Sequence, residues 1–313
     1  MAEETGVRRG IIMRSERLRI WLAFITISTV WGTTWFAIRI GLQTVPPFLS
    51  AGLRCCLAAV VLFSLLRIRG GVIPTSHIAW KVYASLGILT IGIPFALIYW
   101  GQQYIATGLS SILFGVFPIW VALLSHFLLK NEPLNMYKVA SIVLGFFGVV
   151  VIFYSDIFLA DTRGVFGMLA VLVSTFLQAL ALIVIKKHGE PVSPMAMNFV
   201  GMAMGGMMLL ALSLFCESGR PVVWTWPGIV SLAYLTLVGS VVTFVAYYWL
   251  LKRIDAVYLS LSSFINPLIA VLIGSVALGE RLSSTAVVGA AFVLVGMLTA
   301  NGKAIHEKLT ARA

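Results

Sequence analysis

Ten apolar stretches of roughly 20 residues follow one another along this 313-residue chain, each long enough to cross a hydrocarbon core of about 30 Å as a helix. They run approximately over 20–38, 48–66, 78–100, 107–129, 134–154, 164–185, 194–216, 228–250, 256–278 and 285–302. Lipid offers no partner to a backbone N–H or C=O, so apolar stretches of this length specify helices whose hydrogen bonds are internal. The expected fold class is an all-α polytopic membrane protein. Charged residues make up 11% of the chain, against about 25% in soluble domains, and the ten stretches leave no room for a soluble domain. Catalysis or nucleotide binding would have to come from short loops or from the bundle interior.

The formal charge of +11 does not point to nucleic acid, because the basic residues are spread over helix ends instead of one module. With alternate loops assigned to opposite sides, seventeen of the 22 Lys and Arg fall on the side of the termini. Four, Arg39, Arg163, Arg220 and Arg281, fall on the other, and Arg54 lies within a span. This bias predicts cytoplasmic termini. The apolar stretch behind the basic N-terminus is too long for a signal peptide and lacks a cleavage pattern, so it reads as a first helix. Cys55, Cys56 and Cys216 have no metal-ligand spacing and read as apolar fillers.

The chain is duplicated. Tyr99, Trp100 and Pro118 recur as Tyr248, Trp249 and Pro267 at a constant offset of 149, and one residue less aligns Glu132, Leu134 and Gly148 with Glu280, Leu282 and Gly296. Five spans per unit is an odd number, so the second unit enters the membrane from the opposite side. The expected organisation is a cytoplasmic segment 1–19, a first five-helix repeat 20–154, a linker 155–163, a second repeat 164–302 and a tail 303–313. Two inverted five-helix repeats should enclose a central cavity, and such pairs exchange access by rocking.

The first span reads S-T-V-W-G-T-T-W-F-A-I-R-I-G from Ser28 to Gly41, followed by Pro46, Pro47 and Arg54. With Tyr248 and Trp249, S-x-x-N-P at Ser263 to Pro267, and Gly279 with Glu280, the pattern resembles the EamA family of the drug/metabolite transporter superfamily over residues 20–300. The resemblance implies a ten-helix, multi-pass transporter of the bacterial inner membrane that moves amino acids, related metabolites or toxic compounds outward. It names no substrate and no cofactor. The second repeat departs from the pattern where Leu177 and Gln178 stand at the places of Trp31 and Gly32.

Arg54 lies about seven residues inside its span, roughly 10 Å below the start. A charge at that depth requires a partner or a watery cavity. It reads either as a cavity cation that meets a substrate carboxylate or as a structural Arg bonded to helix carbonyls. Trp31 and Trp35, spaced i, i+4, share a helix face with Thr34 beside them, and Tyr99, Gln102 and Gln103 share another. Such groups suit a cavity that holds a zwitterion or an aromatic compound, whereas Trp100, Tyr104, Trp224 and Trp226 fit the interfacial belts. Gln178 and Tyr248 join the cavity candidates. Pro118 and Pro267 each remove a helix hydrogen bond at matched places in the two halves, marking kinks or gates; Ser262, Ser263 and Asn266 form a polar face before the second. Glu132 and Glu280 read as turn and cap residues, and Gly201, Gly205 and Gly206 as a close helix contact.

All eleven acidic residues lie in termini or near loops, so the buried Asp or Glu of a proton-driven carrier is missing, and no phosphate-binding loop indicates ATP drive. A facilitator or exchanger driven by substrate gradients, with at most weak proton linkage, is expected. The alternative is a solute channel or facilitative pore, but no ring of like charges or carbonyl filter is present. An enzyme is not expected, since neither H-E-x-x-H, G-x-S-x-G nor paired membrane aspartates occur. The expected partners are a small-molecule substrate and the lipid bilayer, with no nucleic acid, in a monomer or homodimer.

Overall fold

The computed structural model describes residues 2–129, 136–157, 161–280 and 283–300, and among these every regular element is a helix. Helix α1 spans Ala2–Gly41, α2 Pro47–Ile68, α3 His77–Gly101, α4 Thr107–Leu128, α5 Met136–Ile157, α6 Thr162–His188, α7 Pro194–Cys216 and α8 Trp226–Leu251. The short helix α9, Ala256–Ser260, passes through a 3₁₀ turn, Leu261–Phe264, into α10, Ile265–Leu278, and α11 covers Ser284–Ala300. Among the described residues seven segments are long and apolar enough to cross a membrane: Glu16–Gly41 of α1, and α2, α3, α4, α6, α7 and α8. The chain is a polytopic helical membrane protein.

Helix ends follow local chemistry. Asp161, Ser193 and Thr225 accept the N–H groups of Gly164, Ala196 and Gly228, closing the first turns of α6, α7 and α8. Proline occupies the first helical positions of α2, α7 and α8, where its missing N–H costs nothing. At the other pole Lys186 Nζ donates to the carbonyls of Leu251 and Ile254 at 2.6 and 2.8 Å, setting a cation on the negative end of α8. Two boundaries differ from expectation. Helix α1 begins at Ala2 instead of residue 20, because Glu, Arg, Met, Ile and Leu ahead of the apolar stretch are adequate helix formers and extend the helix backward. Helix α5 continues to Ile157 and α6 begins at Thr162, so both helices run into the expected linker 155–163.

The helices pack in pairs across the chain: α1 on α8, α2 on α7, α3 on α6, α4 on α10 and α5 on α11. Small residues allow the closest of these contacts. A Cβ on Gly206 of α7 would stand 2.7 Å from Cys56 Sγ and 2.9 Å from the Cys56 nitrogen on α2, so only glycine permits this approach. Gly201 and Gly205 turn toward Leu86 and Ile91 of α3 in the same manner.

Four helical segments are irregular, and they fall at matched places. Helix α3 contains a π turn at Gly87–Gly92 and α8 one at Leu237–Val242. Helix α4 is broken at Gly115–Val116, ahead of Phe117 and Pro118, and the α9–α10 segment changes winding at Leu261–Phe264, ahead of Asn266 and Pro267. The prolines sit at the starts of the downstream segments, where they cannot supply the N–H that continued winding would require. In α3, Pro94 likewise cannot donate to Thr90, which favours re-registered winding just upstream.

Candidate functional site

Between α1, α2, α3, α4, α6, α8 and the α9–α10 segment lies a cavity with about 810 Å³ of atom-free space, its mouth included. Trp31, Thr34 and Trp35 line it from α1, Arg54 from α2, Tyr99 from α3, Gln178 from α6, Tyr248 from α8, and Ser262, Ser263 and Asn266 from α9–α10. Helices that are far apart in sequence thus bring these ten residues, each singled out in the sequence, to one space.

Gln102 and Gln103 do not line it. Helix α3 ends at Gly101, so the helical spacing that would place residue 103 beneath Tyr99 no longer operates. Gln103 Nε2 instead donates to the Trp100 carbonyl at 3.1 Å, and its own carbonyl accepts from Arg39 Nη1 at 3.3 Å. Its neighbour Gln102 is buried and donates to the Trp35 carbonyl at 2.7 Å, fastening the end of α3 to α1.

Arg54 is 3% exposed. Its Nε donates to Ser240 Oγ at 2.8 Å, Nη1 to the Tyr99 hydroxyl at 3.1 Å and Nη2 to the Gly239 carbonyl at 3.0 Å. The Phe95 ring lies 5.0 Å from its guanidinium carbon, a cation–π contact. No carboxylate pairs with Arg54 among the described residues. Three of the five guanidinium N–H groups are used, and two remain to meet a ligand. Both readings made from sequence therefore contain a piece of the arrangement: a carbonyl does hold the side chain, and the side chain does border the cavity.

The π turn of α8 prepares this carbonyl. The Thr243 N–H reaches Val238 and Ser240 instead of Gly239, and the Gly239 oxygen accepts Thr243 Oγ1 and Arg54 Nη2. A Cβ at Gly239 would stand 3.3 Å from Nη2 and 3.0 Å from Thr34 Cγ2, so glycine leaves the room the guanidinium occupies.

The walls are unequal. Trp31 packs on Phe244 and Tyr247 with ring centroids 5.4 and 4.9 Å away, while Trp35 packs on Phe114 at 5.5 Å, which stacks on Phe117. At the repeat offset of 149, Phe114 and Phe117 correspond to Ser263 and Asn266, and all four line the cavity. One wall is aromatic and its counterpart polar. Among the buried polar atoms without a hydrogen-bond partner are Asn266 Oδ1 and Gln178 Nε2. Pro118 and Pro267 do not line the cavity; each sits at the start of the segment that carries its lining residues onward.

Sequence reasoning missed Phe95, Phe244, Tyr247, Gly239 and Ser240. Phe95 and Phe244 were within reach, since they obey the offset that relates Tyr99 to Tyr248. It also missed Glu217, 6% exposed, whose Oε1 and Oε2 accept the Phe48 and Leu49 N–H groups at 2.9 and 3.0 Å at the start of α2. Glu280 does the same for α4 through Thr107 and Gly108, at 3.1 and 3.4 Å; Glu132 lies outside the described residues.

A polytopic bundle with a shared cavity between interrupted helices is the architecture of a membrane transporter, and the comparisons specify which kind. The EamA-like transporter family model matches residues 18–154 and again 165–302, and the chain belongs to this family of the drug/metabolite transporter superfamily. It is 31% identical over 281 residues to the uncharacterized transporter YoaV of Bacillus subtilis, covering 90% of this chain and 96% of that one. Protein PecM of Dickeya dadantii is 27% identical over 271 residues, with 86% and 88% covered. A crystal structure 20% identical in sequence superposes with a TM-score of 0.66, covers 89% of this chain and 96% of its own, and shares the fold.

Proposed function

We propose that this transporter exports small organic metabolites with a carboxylate or zwitterionic head and an apolar or aromatic body, amino acids or related compounds and toxic analogues among them. It does so across the bacterial inner membrane by alternating access. The observation that carries the reading is Arg54, buried beside the cavity on neutral acceptors, with donor capacity left over and no acid paired with it among the described residues. An incoming carboxylate supplies the missing charge, and the rings of Trp31, Phe114 and Phe244 accommodate the body.

The reading includes ten membrane helices arranged as two inverted five-helix repeats. Two observations support it. The family model matches the chain twice, and each helix pairing has its counterpart in the other half, α1 on α8 answering α6 on α3. Cytoplasmic termini follow from the charge bias. No described carboxylate lines the cavity, which favours a facilitator or exchanger. The partners in this reading are the substrate and the bilayer, with a monomer or homodimer as the working unit and no nucleic acid.

The test is counterflow in proteoliposomes. Saturable exchange of a labelled amino acid or analogue, competed by other carboxylates, is expected. Single-channel currents without counterflow would replace the carrier by a pore, and a substrate-driven proton flux would reject the purely facilitative form.

A further inference from the structure

A second concavity lies on the outer face of the bundle, in the seam between α2 and α7. The two helices touch closely at Cys56 and Gly206 and leave a groove toward the C-terminal end of α2. Ala59 and Ala203 are too small to fill it, and the Phe63 and Phe199 rings stand against each other at 5.0 Å. Its lining is apolar throughout, and Met207 on its rim is 59% exposed.

The groove ends at a cation. One turn beyond Phe63, the exposed Arg67 places its guanidinium carbon 6.0 Å from the Phe63 ring centre, and Arg69 follows at the helix end. An apolar slot in lipid with one arginine at its end, and a second arginine two residues further along the chain, has the polarity of one molecule: an acyl chain below and an anionic phosphate above. Arg67 and Arg69 belong to the side that the charge bias assigns to the cytoplasm, so the inference rests on that part of the proposed reading. We infer that the α2–α7 groove is a binding site for a single anionic phospholipid of the cytoplasmic leaflet, its chain lying over Ala59 and Ala203 and its phosphate held by Arg67 and Arg69. Because α2 and α7 come from different halves of the chain, the lipid is shared between them.

The experiment uses the full chain in bilayer discs of phosphatidylglycerol and phosphatidylcholine in equal amounts, followed by native mass spectrometry. Wild-type protein should retain one phosphatidylglycerol in preference to phosphatidylcholine. Arg67→Ala and Arg69→Ala should each lower that preference by about fivefold, the contribution of one basic residue at an anionic surface. Ala203→Phe should abolish retention, and a phosphatidylglycerol with a photoreactive acyl chain should label residues 56–63 and 199–207 of the unmodified protein, a readout that does not depend on any variant folding. Equal retention of the two lipids, labelling elsewhere, or oxidative crosslinking of Cys56 between two copies that excludes the lipid would overturn the site. None of these readouts requires transport, so failure of the lipid site and failure of the export reading are separable.

Discussion

Arg54 Nη2 on α2 donates a 3.0 Å hydrogen bond to the carbonyl oxygen of Gly239 on α8. The bond joins a charge to a backbone position that the π turn has withdrawn from the usual N–H of Thr243. Helix π turns are frequent at functional sites because they redirect such groups, and here the redirected carbonyl, the Ser240 hydroxyl and the Tyr99 hydroxyl orient a cation beside a cavity.

Removing the cation should select among substrates. Arg54→Ala is expected to lower transport of carboxylate-bearing compounds by at least about tenfold, the weight of one charge-assisted hydrogen bond. Cationic compounds should be affected less. Counterflow competition measures both, and equal loss for the two classes would assign Arg54 to structure alone.

Disturbing its mounting should act more gently. Ser240→Ala removes the 2.8 Å bond to Nε and should raise the half-saturation concentration by about fivefold while leaving the protein folded. Gly239→Val crowds both Nη2 and Thr34 and should exceed that effect. A Ser240→Ala protein that loses more affinity than Gly239→Val would contradict the ordering.

The two walls should tune specificity in opposite senses. Phe114→Ala is expected to weaken binding of aromatic substrates more than aliphatic ones, and Asn266→Leu to weaken compounds carrying a second polar group. A substrate panel with matched aromatic and aliphatic carboxylates checks this, and parallel losses across the panel would show that the walls do not discriminate.

Helix caps set a separate expectation for stability. Glu217→Gln exchanges two charge-assisted bonds at a buried helix start for weaker ones and should cost about 1 to 3 kcal/mol, read as a lower Tm in detergent. Glu280 is half-buried and its bonds are longer, so Glu280→Gln should lower Tm less. The reverse order would mean that Glu280 holds more than α4.

The positions of the seven spanning helices and most cavity residues were legible because apolar length, periodicity and the 149-residue offset are properties of the chain itself. Trp31, Tyr99 and Tyr248 could be nominated from those alone. Gln103 misled because a helical face was extended past a helix end that only Gly101 signals. The π turn of α8 left no such mark, since Leu237–Val242 contains no proline and reads as an apolar run. Glu217 was invisible for another reason: its partners Phe48 and Leu49 lie nearly 170 residues away in sequence, and no spacing rule reaches that far.

The unneutralised guanidinium also makes the site sensitive to voltage. In the proposed alternating-access cycle the cavity takes on the potential of the side to which it opens, and one elementary charge is worth about 2.3 kcal/mol per 100 mV. In the proposed export cycle, the empty cationic site favours facing the negative interior of the cell, the side on which an exporter loads, and a bound monoanion cancels the bias. Transport in vesicles should accelerate when an inside-negative potential returns the empty site to the loading side, and Arg54→Gln should flatten that dependence; a voltage-independent rate in the unmodified protein would show that the charge does not change sides.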